Sequence, residues 1–243
     1  MRLSIIIPAF NEEKTIADVI DALVREIPEV FEIIVVDDGS TDRTSQIAET
    51  YCQKLPQMRL IRQPRNQGKT AALRTGFAAS TGDVVLVQDA DLEYDPVDIP
   101  ELVDPIEKGK ADVVYGSRFM IRRAARVLYF KHFMANQVLT FLSNLFTDLN
   151  LSDVETGYKA FRGEIIRNMI IETRGFGFEI EVTAKVAKLK CRVYEVPISY
   201  NGRTYEEGKK IGFVDGLYAI FYIFKYNLFV PRKYCYKQLP VLS

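Results

Sequence analysis

The stretch EIIVVDDGSTD, Glu32–Asp42, joins an apolar run of strand length to a polar turn. Ile33, Ile34, Val35 and Val36 put apolar side chains on both faces of an extended backbone, so both faces need cover. Asp38-Gly39-Ser40 supplies the turn chemistry that ends the run. The unit recurs on either side. Leu3–Pro8 is an apolar, β-branched run followed by Asn11–Ile27, where Ile16, Val19, Ile20, Leu23 and Ile27 recur at helical spacing, with Asn11 as the expected N-cap. Downstream, Asp42–Lys54 reads as a helix, Met58–Arg62 as a strand, Lys69–Ser80 as a helix and Asp83–Gln88 as a strand. Pro100–Lys108 and Val113–Tyr115 repeat the pattern. Buried strands alternating with amphipathic helices predict a doubly wound α/β fold with a mostly parallel sheet covered on both sides.

Beyond Gly116 the pattern changes. Phe119–Phe146 is helical in tendency, basic early and apolar late, and Leu151–Phe161 is polar and loop-like. Ile165–Ile171 and Glu179–Lys190 read as short helices, Arg192–Pro197 as a strand, Asn201–Lys210 as a charged loop and Phe213–Val230 as an aromatic helix. No internal repeat or low-complexity tract interrupts the chain.

The 243 residues are 48% hydrophobic and 26% charged, which excludes a disordered or fibrous protein. Three widely spaced cysteines, Cys52, Cys191 and Cys235, exclude a disulfide framework and a four-ligand zinc site, and fit a reducing compartment. The N-terminus reads as a strand, not a signal peptide. Net charge is zero, with 32 basic and 32 acidic residues, which gives no support to nucleic-acid binding. The zero is an average. Gly116–Thr147 holds five basic residues and no acid, and Gly208–Ser243 six against Asp215 alone, so the remainder carries −10, mostly before Gly116.

In an open parallel sheet, ligands bind beyond the carboxyl ends of the strands. Those ends here are Pro8-Ala9-Phe10-Asn11-Glu12, Asp37–Asp42 and Gln88-Asp89-Ala90-Asp91-Leu92-Glu93. Carboxylates at three strand ends repel unless a cation or a ligand's donors stand between them. Asp89 and Asp91 lie two apart, on one side of an extended backbone. That spacing suits Mg²⁺ or Mn²⁺, which takes one or two carboxylates and completes its shell with phosphate oxygens and water. Other chemistries fail on composition. Gly68-Lys69-Thr70 lacks the earlier glycine of a P-loop, since position 63 is Gln63. No dinucleotide fingerprint follows the first strand, and no G-x-S-x-G exists for a serine hydrolase.

The motifs PAFNEE, VVDDGSTD, RNQGKTAALRTGF and QDADLEYDP resemble family 2 glycosyltransferases, which have the GT-A nucleotide-sugar-binding fold. YGSRF, LTFLSNLFTDLNLSDVETGYKAF and PISYNGRTYEEGKKI are similar to the polyprenyl-phosphate sugar synthases within that family. The resemblance spans about residues 1–230. It implies that Pro8, Phe10, Glu12 and Asp37 line the base and ribose, within a donor site that also includes Ala9, Asn11, Gly39, Lys69, Asp89, Ala90, Asp91, Arg118 and Lys209. A divalent metal would sit on Asp91, with Asp89 and Glu93. Arg118, Arg203 and Lys209 match residues that meet phosphates, and Lys131 or His132 would join Arg203 at the acceptor phosphate. Asp91, Arg118 and Arg203 would carry the catalysis.

The implied reaction is inverting transfer of a hexose from a nucleotide sugar, of GDP-mannose or UDP-glucose type, to a polyprenyl or dolichyl phosphate. A phosphate nucleophile is already ionised and needs no strong base, in keeping with a chain that has one histidine. Glu155 is the residue to watch if a base is needed, and otherwise holds the acceptor loop. Residues 1–205 would form the catalytic domain, with a donor half to 116 and an acceptor half from 117. Residues 206–243 would form a basic loop and an amphipathic helix. Phe213–Val230 falls short of the ~20 apolar residues of a spanning helix and is broken by Asp215, Lys225 and Asn227, so interfacial docking on a cytoplasmic membrane face is expected, with packing on the sheet as the alternative. A membrane-spanning partner subunit is compatible with this. Two rival functions are transfer to a saccharide or other hydroxyl, and a non-catalytic nucleotide-sugar-binding subunit.

Overall fold

A computed structural model describes residues 1–120, 126–127, 129–173, 175, 177–202 and 213–240. Among the described residues, seven strands form one sheet: β1 (Leu3–Ala9), β2 (Glu32–Asp37), β3 (Met58–Arg62), β4 (Val84–Val87), β5 (Val113–Ser117), β6 (Lys159–Arg162) and β7 (Val193–Pro197). Their order is β3-β2-β1-β4-β6-β5-β7. All pairings are parallel except the two made by β6, which runs antiparallel between β4 and β5. The helices are α1 (Ile16–Glu26), α2 (Thr44–Lys54), α3 (Lys69–Ala79), α4 (Ile99–Glu107), α5 (Phe130–Thr147), α6 (Gly163–Asn168), α7 (Phe178–Leu189) and α8 (Phe213–Phe224), the last continuing as a π-helical turn over Lys225–Phe229.

Alternation along β1 divides the core between the two faces. Ile5 and Ile7 pack with Ile16, Val19, Ile20 and Leu23 of α1 and with Leu102 and Ile106 of α4. Ile6 faces the other way, into a cluster with Leu73 and Phe77 of α3 and Phe178 and Val182 of α7. A third cluster joins Leu139 of α5, Val154, Ile180 of α7, and Ala219 and Ile223 of α8. The doubly wound, mostly parallel α/β fold expected from the sequence is thus present.

Two local expectations need correction. Helix α1 starts at Ile16, not at Asn11. Asn11 has a left-handed φ of 54° and its side chain accepts from Thr41 N at 2.9 Å, so it joins two loops instead of capping a helix. The supposed loop Leu151–Phe161 contains the start of β6. Lys159 is wholly buried in that strand, its ammonium donating to the carbonyls of Val154 and Thr156 and lying 4.8 Å from the Tyr115 ring centroid. A four-residue strand that begins with a buried lysine carries no alternation for the sequence to display.

The strand order fixes where a site can form. The chain leaves β1 towards β2 and β3, then returns to β4 on the other side of β1. The carboxyl ends of β1, β2 and β4 therefore meet at a switch point. Because β6 is antiparallel to β4, with Ala160 opposite Leu86, its entering loop reaches the same edge.

Candidate active site

Three loops are laced together at that edge. Asn11 N donates to Ser40 Oγ at 3.0 Å, and Glu12 N to Thr44 Oγ1 at 2.8 Å. Thr15 Oγ1 donates to Glu12 Oε2 at 3.1 Å and to Ala90 O at 2.7 Å, which ties the β1 loop to the β4 loop. Ala9, Asp37 and Ala90 are buried, whereas Pro8, Phe10 and Glu12 are partly exposed. Asp37 Oδ1 accepts from Ser40 N at 3.0 Å. Gly39 has a φ of +73°, and a Cβ there would stand 2.6 Å from the Arg65 carbonyl carbon, so the turn admits no side chain. Asp38 accepts from Gln67 N at 2.9 Å and Gly68 N at 2.7 Å; burial raises its pKa despite those bonds.

Lys69 begins α3 and reaches across to the β4 end. Its ammonium lies 2.8 Å from Asp89 Oδ1 and 3.5 Å from Glu179 Oε1 at the start of α7. Burial disfavours the Lys69 charge, but attraction first to Asp89 and then to Glu179 prevails and raises its pKa. Asp91 Oδ1 accepts from Glu93 N at 3.2 Å, while Glu93 Oε2 accepts from Tyr200 Oη at 2.9 Å. Among the described residues, no group of three carboxylate, histidine or cysteine side chains converges. The arrangement fits a hard cation held by few carboxylates and completed by phosphate oxygens. Asp89 is balanced by Lys69, and Glu93 is turned to Tyr200.

Opposite stands Arg118, just beyond β5. Its Nε and Nη2 donate to Asp153 Oδ2 and Oδ1 at 2.6 and 2.7 Å, a bidentate pair in which Asp153 is fully buried. Burial opposes the Arg118 charge, and Asp153 more than offsets it. The guanidinium carbon lies 5.1 Å from the Tyr200 ring centroid and 5.7 Å from that of Phe119. Phe119 meets Phe133 edge-on at 5.2 Å, which links Arg118 to the first turns of α5. The first turn of that helix carries Lys131, exposed, and His132, whose ring is 6.0 Å from that of Tyr129. Arg203 and Lys209 lie outside the described residues.

The loop from Asp153 to Gly157 spans the gap between Arg118 and Asp89. A Cβ on Gly157 would fall 2.7 Å from Asp89 Oδ2, so a larger residue would have to displace that carboxylate; Gly157 N donates to Tyr94 Oη at 2.8 Å. Tyr94 stacks on Tyr158 at 5.0 Å and tilts against Tyr200 at 5.3 Å, forming an aromatic wall. Within the loop, Glu155 Oε1 is buried and has no hydrogen-bond partner among the described residues. Burial and then Glu179 push the Glu155 carboxyl up to about 8, while burial brings Lys159 down to about 8. Asp153, Glu179, Tyr94 and Tyr200 were not singled out by the sequence reading. Tyr94, Asp153 and Tyr200 lie within the family-like motifs, where the resemblance gave them no role, and Glu179 lies in none of them.

The sequence pattern described as glycosyl transferase family 2 matches residues 4–170. The chain belongs to glycosyl transferase family 2. It is 30% identical over 217 residues to a dolichol-phosphate mannosyltransferase of Pyrococcus furiosus, covering 87% of this chain and 60% of that relative. It is also 30% identical over 222 residues to an undecaprenyl-phosphate mannosyltransferase of Micrococcus luteus, covering 89% of this chain and 90% of the relative. In fold it is similar to glucosyl-3-phosphoglycerate synthase of Mycobacterium tuberculosis, with a TM-score of 0.73, 23% identity, and coverage of 93% and 78% of the two chains. By the family match the chain is of the glycosyltransferase class, and the solved synthase shares its fold.

Proposed function

We propose that this family 2 enzyme transfers a hexose from a nucleoside diphosphate sugar to a polyprenyl or dolichyl phosphate, with inversion, at a membrane surface. The observation that carries the reading is Arg118, clamped by Asp153 in the same site as the Lys69–Asp89 pair. It gives the acceptor side a fixed guanidinium suited to a phosphate. The Pyrococcus and Micrococcus relatives are named for lipid-phosphate acceptors.

In this scheme Pro8, Ala9, Phe10, Asn11, Glu12, Asp37, Gly39 and Ala90 form the nucleotide cradle. Lys69 orients Asp89 towards the donor. Asp91 would hold Mg²⁺ or Mn²⁺, alone or with Asp89 and Glu93, and the ion would neutralise charge developing on the leaving diphosphate. The M. tuberculosis synthase similar in fold was solved with Mn²⁺ and UDP. Arg118, with Arg203 and with Lys131 or His132, steadies the acceptor phosphate and offsets its repulsion from the donor; Lys209 serves the donor phosphates. A phosphate oxygen attacks the anomeric carbon, the bond to the diphosphate oxygen breaks, and that oxygen keeps the electron pair.

Docking on lipid has its own support. Helices α5 and α8 pack side by side, with Phe146 edge-on to Phe224 at 5.2 Å, and leave Phe130, Phe141, Leu145, Leu217, Tyr218 and Phe221 exposed. Exposed Arg232 and Lys233 follow them in the chain. Ala219 and Ile223 of α8 are buried on the domain, so the helix packs through one narrow face and offers the other. Among the described residues no helix is long and apolar enough to cross a membrane. An interfacial helix on the cytoplasmic face, following a catalytic domain of residues 1–205, accounts for these features, and a membrane-spanning partner subunit could reinforce it.

The test is incubation with radiolabelled GDP- and UDP-sugars, Mn²⁺ and undecaprenyl or dolichyl phosphate in vesicles. Label extracted into organic solvent with the lipid is expected. Label passing only to a lipid-free saccharide would select the hydroxyl-acceptor rival, and nucleotide binding without transfer would select the binding subunit.

A further inference from the structure

The loop before β6 is anchored at both ends to opposite halves of the site. Asp153 holds Arg118, and Gly157 lies against Asp89. A sugar passing from a diphosphate on the Asp89 side to a phosphate on the Arg118 side has to travel along this loop. Glu155 stands midway.

Its surroundings are built to hold the loop while leaving the carboxyl available. The cation next to it, Lys159, donates to the carbonyls of Val154 and Thr156, which flank Glu155 on each side. Val154 N is bound in turn by Thr140 Oγ1 at 3.2 Å, and Val154 itself packs in the cluster under α5, α7 and α8. Glu179 is engaged with Lys69. The backbone on either side of Glu155 is thus held, yet its Oε1 is buried without a hydrogen bond among the described residues. Folded proteins rarely leave a buried carboxyl oxygen unmatched, and the exceptions call for an account.

Resting on the nucleotide-sugar reading proposed above, we infer that Glu155 is a specificity-determining residue. Its carboxyl hydrogen-bonds a ring hydroxyl of the hexose lying between donor and acceptor phosphates, and so selects among epimers. A carboxyl whose pKa is about 8 is protonated at neutral pH, and can then donate one hydrogen bond as well as accept others. That state suits reading a hydroxyl, which both donates and accepts, better than removing a proton. A site that pairs its buried polar groups with one substrate's hydroxyls discriminates against a sugar that leaves them unpaired.

The test compares wild type, Glu155→Gln and Glu155→Ala with two epimer pairs, GDP-mannose with GDP-glucose and UDP-glucose with UDP-galactose. Undecaprenyl phosphate and Mn²⁺ are supplied throughout, and binding of UDP and GDP with Mn²⁺ is measured by calorimetry. Glu155→Ala is expected to lower kcat/KM for the preferred donor roughly 10- to 100-fold, and to shrink its preference over the epimer by a comparable factor. Nucleoside diphosphate affinity should stay within about 2-fold. Glu155→Gln, which keeps the shape and one donor, should fall between wild type and Glu155→Ala. Unchanged epimer ratios in both variants would overturn the inference, and so would equal losses for both epimers accompanied by lost diphosphate binding, the mark of a merely structural residue. If the wild type uses none of the four donors, the proposed function falls first and this role with it.

Discussion

The Lys69 ammonium lies 2.8 Å from Oδ1 and 2.9 Å from Oδ2 of Asp89, so the first carboxylate of the D-x-D pair has its counter-charge inside the protein. Glu179 approaches the same ammonium at 3.5 Å. The two acids are held in place by one lysine that begins α3. Asp91 instead accepts from Glu93 N at 3.2 Å, so the two acids that D-A-D treats alike have different partners.

Replacing Lys69 with Met would leave two carboxylates sharing a partly buried space without their cation. The expected loss of folding stability is about 3 kcal/mol, by analogy with other broken buried pairs. Adding Asp89→Asn should recover part of it, since the two sites share one interaction. Urea unfolding of both single variants and the double variant checks this. Simple additivity would mean that the pair contributes no coupling.

Asp91→Asn should behave differently. Asparagine keeps an oxygen that can accept from Glu93 N, so stability is expected to stay within about 0.5 kcal/mol. Binding of UDP or GDP should lose its dependence on Mn²⁺. Titrations with and without EDTA read this directly. A variant that still binds the nucleotide more tightly with Mn²⁺ would move the metal to other residues.

The strand-end part of the candidate site was legible because it is local. Pro8–Glu12, Asp37–Asp42 and Gln88–Glu93 each follow a strand that its own apolar run discloses, and the switch point then brings their ends together. The part around Arg118 depends on the two antiparallel pairings of β6, which no short-range pattern reveals. Arg118 was visible as a charge, but its partner Asp153 lies 35 residues away and is delivered only when β6 enters between β4 and β5. Glu179 and Tyr200 reach the site from α7 and from the segment after β7 for the same reason. Asn11 misled because a residue able to cap a helix can equally bind a neighbouring loop.

That distant pairing is itself testable. Asp153→Asn keeps the shape but leaves the buried Arg118 guanidinium without its anion. A loss of about 3 kcal/mol in urea unfolding is expected. In transfer assays the KM for the lipid phosphate should rise more than that for the nucleotide sugar. Equal effects on both substrates would argue against a separate acceptor role for Arg118.

The exposed aromatic faces of α5 and α8 give a prediction about membranes. Phe141 and Phe221 are 66% and 58% exposed, and neither helix needs them for its packing on the domain. Burying a phenylalanine side chain contributes about 1.5–3 kcal/mol, so Phe141→Asp with Phe221→Asp should reduce vesicle binding on the order of 100-fold. Sedimentation with vesicles containing anionic lipid measures this. If the wild type does not sediment with them, these faces meet something other than a bilayer.

The last expectation concerns pH. Glu155 has a folded pKa of about 8 against an ordinary value of 4.5, with burial as the main cause. The folded chain therefore holds this proton over a range in which the unfolded chain has released it. The stability associated with the neutral carboxyl is complete below about pH 4.5 and is lost as pH rises through about 8, at no more than about 1.4 kcal/mol per pH unit. Glu155→Gln cannot ionise and should lack this slope. Between pH 5 and 8 the wild type is thus expected to lose stability relative to the variant. Lys159, whose pKa falls to about 8, is present in both proteins, and its own contribution rises only above that pH. Urea midpoints of the two proteins measured at pH 5, 6, 7 and 8 give the difference, and parallel curves would show that Glu155 is ionised in the folded protein.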